Sequence, residues 1–393
     1  MLRGTVAFLV LVACAVIGSE LRNGLARRGL RAPAMEGLSF LVVGFVLGDN
    51  ALGLFPQDLL SSMRVVVLFG LAWIGFVFGV QMELRIIRRL APWHRWVGLL
   101  TPAALGLPVV AGALVAGLPP ALALGLGAVA MAGSPTLLDG ISRGRHVKDR
   151  HAVRLLKLVM AFAGLPAVSV FAIATALASP VAGPVSGVVP SWQLVMVMVA
   201  VGTLVGYALV VFTRGVREHI ELLTLATGSM CLVAGATAAL GLNALPAAAC
   251  GGAVLVNRCM FPSRMLRVAH SLERPMLVAL LVLVGASWKG ASFSLTAFLL
   301  LSVVRAGAAV VAGTVLRRFA RERRVVSRTA GLGFGLLPQG ELALGLLVAI
   351  VSFFPDTTGV LEAVVAAIVV NNLLGAWWMQ RRLVMTTRDE VAR

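Results

Sequence analysis

Charged residues are scarce in this 393-residue chain. They make up 13% of the sequence, whereas roughly a quarter is usual for soluble domains. Apolar residues make up 59%, and the mean hydropathy is +0.97. A soluble 41.0 kDa protein could not cover that much apolar surface with so few charges. The composition therefore excludes an ordinary soluble domain and indicates a membrane protein.

Sites that depend on clustered ligands or nucleotide motifs are also missing. The four cysteines are scattered without CxxC spacing, and the five histidines lie in or beside loops at no ligand-like spacing. These patterns predict no disulfide framework, metal site or other cofactor. The stretch 125–130 satisfies G-x-G-x-x-A, but small residues that allow close helix packing explain it better. No P-loop occurs, so any transport would draw on a gradient and not on ATP hydrolysed by this chain.

Apolar stretches recur along the whole chain, most of them near the ~20 residues that span a bilayer. They predict an all-α membrane protein with about 13 transmembrane helices. We expect one polytopic membrane domain over 1–393, with halves of about 1–190 and 191–393 and no soluble regulatory domain. The predicted segments are 4–21, 35–54, 65–82, 96–118, 121–138, 155–178, 192–212, 221–240, 242–256, 275–288, 294–316, 329–354 and 360–379.

The net charge of +18 is concentrated in alternate connections. All but four of the 34 lysines and arginines lie in every second connection or in the tail. By the positive-inside rule, this predicts an outside N-terminus and a cytoplasmic C-terminus, in a bacterial inner membrane. Anionic lipid is the partner that we expect for these basic loops, not nucleic acid. The first segment resembles a cleaved signal peptide, but a retained helix keeps the first basic loop inside, as later loops are.

Two predicted spans are interrupted by proline in matching ways. The twelfth span contains Pro338, Gln339 and Gly340, followed by Glu341, and the fifth contains the sequence Gly133, Ser134 and Pro135. The odd offset of seven spans means that the two cross the membrane in opposite directions. Paired Gly/Pro-interrupted spans in inverted halves indicate a transporter site at the bilayer midplane. The sequence therefore predicts inverted repeats with two crossed, interrupted helices.

Two charged residues are predicted to lie at membrane depth. Arg305 has about ten apolar or small residues on either side, and Glu341 follows the break at Pro338. A central charge costs about 2.5 to 3.5 kcal/mol on insertion scales, so such residues persist mainly when they are paired or functional. Glu341 could instead cap the half-helix, where its charge suits the helix dipole. The predicted ion and proton site consists of Glu341, Arg305, Ser134 and Gln339.

The order of these features resembles the cation:proton antiporter superfamily, specifically its sodium or potassium/proton exchanger branch. The resemblance covers nearly the whole chain. It includes the opening "LARRGLRAPAMEGLSFLVVGFVLGDNALGL", the span "FGLAWIGFVFGVQMELRIIRR" and the break "GSPTLL", and "LLPQGELALGL" is its most specific match. Arg305 falls where that family places a membrane-embedded Lys or Arg. The resemblance implies a 13-helix exchanger fold and a homodimer.

One departure from the family pattern affects the mechanism. Family antiporters carry an Asp-Asp or Asn-Asp pair midway along the helix after the first crossed helix. Ala163 and Gly164 stand about there, and the sixth span contains no Asp, Glu or Asn. We therefore hypothesise that Glu341 takes over as the titratable group and as the counter-charge of Arg305. Asp139, next to the basic loop after Pro135, is a weaker candidate.

Three functions follow from these observations. The first is secondary active antiport of protons against a monovalent cation, Na⁺ or K⁺, by alternating access, which is not an enzymatic activity. The second is a transporter-fold sensor or scaffold that no longer exchanges ions, which the missing acidic pair favours. The third is transport of a small organic anion, in which Arg305 and the half-helix N-termini would bind a carboxylate.

Overall fold

The computed structural model is helical over most of its length. It describes residues 38–48, 52–56, 60, 62–135, 138, 150–178, 190–216, 218–259, 261–288, 293–322, 332–354 and 359–383. The predicted first segment, 4–21, lies outside the described residues. Each later segment overlaps at least one helix. Within the described residues, eight helices are long and apolar enough to cross a membrane, and two shorter apolar helices accompany them.

We number the α-helices in chain order. They are α1 (Leu38–Leu47), α2 (Arg64–Gln81), α3 (Leu84–Arg89), α4 (Pro92–Val115), α5 (Pro120–Met131), α6 (Arg150–Phe162), α7 (Gly164–Ala178), α8 (Ser191–Phe212), α9 (His219–Ala239), α10 (Ala244–Arg258), α11 (Pro262–Ala286), α12 (Leu295–Leu299), α13 (Arg305–Glu322), α14 (Glu341–Phe353) and α15 (Val360–Leu383). A π-helical turn, Leu300–Val304, joins α12 to α13, and a 3₁₀ turn, Phe334–Leu336, precedes α14.

Small residues let the helices approach closely. A Cβ on Gly75 or Gly79 of α2 would collide with a main-chain carbonyl oxygen of α10, at Leu245 or Ala249 respectively. Lipid supplies no hydrophobic force between apolar helices, so such close backbone packing contributes much of their association. The indole N–H of Trp73 adds a buried hydrogen bond of 3.0 Å from α2 to the carbonyl oxygen of Ala269 on α11.

The start of α11 differs from the sequence prediction. We expected an apolar span from Pro275, with the preceding arginines in a loop, but the helix begins at Pro262 and continues through Pro275. Proline suits the first helical position because it has no N–H to leave unsatisfied. The following two turns bury Met265, Val268 and Ala269 on one face while the arginines point elsewhere. This amphipathic stretch forms a helix despite its charge.

The two short apolar helices, α5 and α14, lie at the centre of the bundle. Both belong to the largest buried apolar cluster, to which α5 contributes Leu122 and Leu126 and α14 contributes Leu342 and Leu346. Helix α5 packs against α4, α7 and α14. Each of these two helices ends or begins at a break, and those breaks form the candidate site.

Candidate functional site at the crossed breaks

The first break follows α5. The helix ends at Met131, and Ala132 is extended, with φ −64° and ψ 128°. Gly133 and Ser134 continue without helical structure, because a residue that precedes proline, here Ser134 before Pro135, is disfavoured in the α region. The last carbonyl groups of α5 therefore have no partner further along the helix.

The second break lies between the 3₁₀ turn and α14. Leu337 to Gly340 have no regular structure, and α14 starts at Glu341. Pro338 cannot donate a main-chain hydrogen bond, so the turn before it does not continue as a helix. The break leaves carbonyl groups facing the site from one side and the N-terminus of α14 from the other. Both interruptions lie where the sequence predicts them.

The two breaks contact each other directly. The main-chain N–H of Ser134 donates to the carbonyl oxygen of Pro338 over 3.0 Å, and the side-chain amide of Gln339 donates to the carbonyl oxygen of Val129 over 2.7 Å. A Cβ on Gly340 would lie only 2.6 Å from the hydroxyl oxygen of Ser134. Glycine at 340 therefore permits the two chains to cross at this distance.

Arg305 binds the carbonyl ends of both breaks. Its side chain is fully buried. It donates to the carbonyl oxygens of Ala130 (2.8 Å) and Ala132 (3.3 Å) at the first break. At the second break it donates to those of Leu337 (2.7 Å) and Leu336 (3.3 Å). The positive guanidinium thus satisfies freed carbonyls and opposes the negative dipole end of each helical segment.

Main-chain groups satisfy the guanidinium of Arg305. All four of these hydrogen bonds end on main-chain oxygens, which lie on both sides of the guanidinium and match its planar fork of donors. The role of Glu341 as the counter-charge of Arg305 stays a prediction. The π-helical turn immediately before Arg305 also interrupts the helical register at this point, as π-turns at functional sites often do.

Two amides on α15 complete the site, and the sequence reasoning missed them. The side chain of Asn372 accepts a hydrogen bond from the N–H of Gln339 (2.7 Å) and donates to its carbonyl oxygen (3.0 Å). The side chain of Asn371 donates to the carbonyl oxygen of Leu301 (2.9 Å) and to the side-chain oxygen of Gln339 (3.1 Å). The sequence "VVNNLL" could have indicated these two residues. It places a polar pair in the middle of an apolar span, where polar residues are costly unless they form hydrogen bonds or have a function.

The carboxylate of the site is at the start of α14. Glu341 is half-buried and lies in the first turn of that helix, where the dipole favours a negative charge. It interacts electrostatically with His270 of α11, which also contacts Glu273. His270 is exposed, while Glu273 is buried. Glu341, directly after the break, therefore lies within electrostatic range of an ionisable pair on a neighbouring helix.

Ala163 and Gly164, which the sequence places at about the position of the family's acidic pair, are both small residues. Ala163 separates α6 from α7, and both Ala163 and Gly164 are buried. A Cβ on Gly164 would lie 3.4 Å from a ring carbon of Phe78 and 3.7 Å from a methyl group of Leu342. The surroundings of this position are thus apolar, and Leu342 is the chain neighbour of Glu341. Asp139, the weaker candidate, lies outside the described residues.

Metal ligands are not clustered in the part of the chain that the structure describes. No group of three or more His, Cys, Asp or Glu side chains there could hold a metal ion. The polar atoms of the site, among the described residues, are instead amides, carbonyl oxygens, the hydroxyl of Ser134, a guanidinium and the carboxylate of Glu341. Such a set can stabilise interrupted helices and can present a single titratable charge at their crossing.

Comparison with known proteins agrees with this geometry. Two structures of the sodium proton antiporter MjNhaP1 from Methanocaldococcus jannaschii resemble the chain, each at 16% sequence identity. One, determined at pH 8, has a TM-score of 0.63 over 96% of this chain and 98% of that one. The other, from an electron-microscopy map, has a TM-score of 0.64 over 96% of each chain. The predicted antiporter-like fold is confirmed.

Sequence comparison identifies the family. A search of curated protein sequences finds no match, but the model of the transmembrane sodium/hydrogen exchanger family matches residues 11–380. That match covers most of the chain, including both breaks, Arg305 and most of α15. The chain is an integral, multi-pass membrane protein, and it belongs to the sodium/hydrogen exchanger family.

Proposed function

We propose that the chain is a secondary active transporter that exchanges a monovalent cation, Na⁺ or K⁺, for protons by alternating access. Membership of the exchanger family supports this function. The observation that carries it is the position of Glu341, a carboxylate in the first turn of α14 at the crossing of the two interrupted helices. A cation and a proton would compete for that single carboxylate.

The residues around Glu341 have different roles in this proposal. Arg305 and Gln339 hold the two breaks, since their polar atoms bond to carbonyl oxygens and to Asn371. Neutralising Glu341 with a proton or with a cation gives two states of similar net charge. Alternate exposure of the site to the two sides of the membrane then couples the two fluxes.

The proposal also covers the setting of the protein. We place it in a bacterial inner membrane, with the N-terminus outside and the C-terminus in the cytoplasm, in contact with anionic lipid. The family resemblance further implies a homodimer. Basic residues in alternate connections support the orientation.

One observation favours a second function, a transporter-fold sensor or scaffold that does not exchange ions. Gly164 has apolar neighbours, Phe78 and Leu342, at the position where the family carries its acidic pair. The organic-anion alternative receives less support, because four hydrogen bonds to carbonyl oxygens already occupy the guanidinium of Arg305.

Proton flux in proteoliposomes tests the exchange directly. A pH-sensitive dye inside the vesicles should respond when Na⁺, K⁺ or Li⁺ is added to the wild-type protein. Glu341→Gln should abolish the response because the amide cannot release a proton. Glu221→Gln is the matched control: Glu221 also lies in the first turn of a helix, α9, but it is exposed and its helix carries neither break.

The outcomes separate the two functions. Loss of flux in Glu341→Gln with retention in Glu221→Gln supports the assignment. Undiminished flux in Glu341→Gln contradicts the role of this carboxylate. A wild-type protein that responds to none of the three cations contradicts exchange and favours the sensor or scaffold.

A further inference from the structure

A cavity separate from the crossed breaks lies where three helices meet at their ends. Helices α8 and α10 end beside it, and α11 begins there. Its volume is about 360 Å³, within the ~300–1,000 Å³ that is typical of small-molecule sites. The lining residues are Val210, Thr213, Arg214, Gly215, Val216, Arg258, Cys259, Phe261 and Arg264. We call this space the three-arginine cavity.

Among the described residues that line this cavity, the charged ones are all arginines. Arg214, Arg258 and Arg264 come from three different chain segments, and no acidic residue is among those described lining residues. Within the described part of the chain, no salt bridge engages any of the three. Three arginines, of which Arg214 and Arg258 are exposed and Arg264 is half-buried, therefore line one cavity without a carboxylate among its described lining residues. Their combined positive charge raises the local affinity for an anion.

One of the arginines is positioned by an aromatic ring. The guanidinium carbon of Arg264 lies 4.7 Å from the centre of the Phe261 ring, a cation–π distance. Phe261 precedes the first residue of α11, so the same turn also places the positive dipole end of that helix beside the cavity. The ring contact holds Arg264 in place, and the helix dipole favours an anion at this position.

Helix capping explains only part of this arrangement. Arg258 lies in the last turn of α10, where a cation suits the negative end of the helix. Arg264 lies in the first turn of α11, where the dipole disfavours a cation, and Arg214 lies beyond the end of α8. The common feature of the three residues is therefore the cavity and not the helix ends.

We propose that the three-arginine cavity binds a phosphate group. Guanidinium groups donate paired hydrogen bonds that match phosphate oxygens, and several arginines from different segments can surround one phosphate. The arginines belong to connections that the charge pattern places on the cytoplasmic side, where anionic phospholipid headgroups and soluble phosphate are both within reach. The site is independent of the carboxylate at Glu341.

Ligand-dependent stability tests the proposal on the full chain in detergent. Tryptophan fluorescence reports the unfolding temperature during titration with phosphatidylglycerol, with phosphatidylcholine or with inorganic phosphate, at constant ionic strength. A ligand that binds the folded state raises the unfolding temperature. We expect stabilisation by phosphatidylglycerol, by inorganic phosphate or by both, and none by zwitterionic phosphatidylcholine. Inorganic phosphate alone identifies a soluble ligand, whereas phosphatidylglycerol alone identifies a lipid headgroup.

Two triple variants distinguish the cavity from general surface charge. Replacing Arg214, Arg258 and Arg264 by Gln should weaken binding roughly tenfold or more, because charge-assisted hydrogen bonds are lost. The matched control replaces Arg85, Arg88 and Arg89 by Gln, which removes the same charge from the exposed helix α3. Equal weakening in both triple variants, or no stabilisation of the wild type, overturns the proposal.

A further variant keeps the proposal testable if the first triple variant does not fold. Val216→Trp leaves the three arginines in place but fills part of the cavity that Val216 lines. It should weaken binding of phosphatidylglycerol or phosphate while the control triple variant binds as the wild type does. Unchanged binding in Val216→Trp contradicts a site inside the cavity.

Discussion

The main-chain N–H of Ser134 donates a 3.0 Å hydrogen bond to the carbonyl oxygen of Pro338, so the two interrupted helices are joined through their own backbones. Neither residue could form this bond if its helix continued. Three further groups form hydrogen bonds around the crossing. They are the side-chain amide of Gln339, the guanidinium of Arg305 and the two side-chain amides of α15. Irregular backbone at membrane depth is tolerated only where protein or water satisfies it, and here the protein supplies the partners.

The first prediction concerns Arg305. Arg305→Gln should destabilise the protein by on the order of 3 kcal/mol, because carbonyl groups of both breaks lose charge-assisted hydrogen bonds in a buried site. Arg305→Lys should retain part of that stability, since an ammonium keeps the charge but lacks the planar fork of donors. Thermal unfolding in detergent measures the difference, with the exposed Arg88→Gln as the control. A Gln variant as stable as the wild type would contradict the structural role of this guanidinium.

The second prediction concerns Asn372. Asn372→Leu should lower the unfolding temperature and reduce transport, because the N–H and carbonyl oxygen of Gln339 lose the partners that they find in this side chain. Each unsatisfied buried group costs about 1–3 kcal/mol. Thr224→Val is a suitable control, since it removes a hydroxyl that bonds only within its own exposed helix turn. If both variants unfold at the wild-type temperature, the amide does not stabilise the second break.

Much of this site was predictable from the sequence. Pro135 and Pro338 locate the breaks because proline removes a main-chain donor wherever it occurs, and Arg305 is conspicuous because a charge in an apolar span is costly. The partners of Arg305 were not predictable. They are carbonyl oxygens, which every residue carries, and only the crossing brings those of Ala130 and Leu337 to the same guanidinium.

The amides of α15 and the start of α11 were missed for other reasons. Asn371 and Asn372 interact with residues more than 30 positions away, so no local spacing links them to the breaks. The apolar pattern begins a span at Pro275, whereas neighbouring helices allow a transmembrane helix to continue through a proline. The long-range packing that decides both cases does not leave a periodic pattern in the sequence.

The last prediction compares the effect of adding one methyl group at two glycines, Gly340 and Gly164. A Cβ on Gly340 would lie 2.6 Å from the hydroxyl oxygen and 2.8 Å from the Cβ of Ser134, so Gly340→Ala must push the two breaks apart. A Cβ on Gly164 would meet only Phe78 and Leu342, at ordinary contact distances of 3.4 and 3.7 Å. Gly340→Ala should therefore lower both stability and cation-driven proton flux, whereas Gly164→Ala should leave flux near the wild-type level.

Gly164→Ala should also be neutral or stabilising by up to about 1 kcal/mol, because alanine restricts the unfolded chain and favours the helix. Flux measurements in proteoliposomes and thermal unfolding of the same preparations compare the two variants directly. Strong loss of flux in a stable Gly164→Ala variant would mean that transport still requires the position of the absent acidic pair. If Gly164→Ala retains proton flux and Gly340→Ala loses it, transport depends on the crossing of the two breaks beside Glu341.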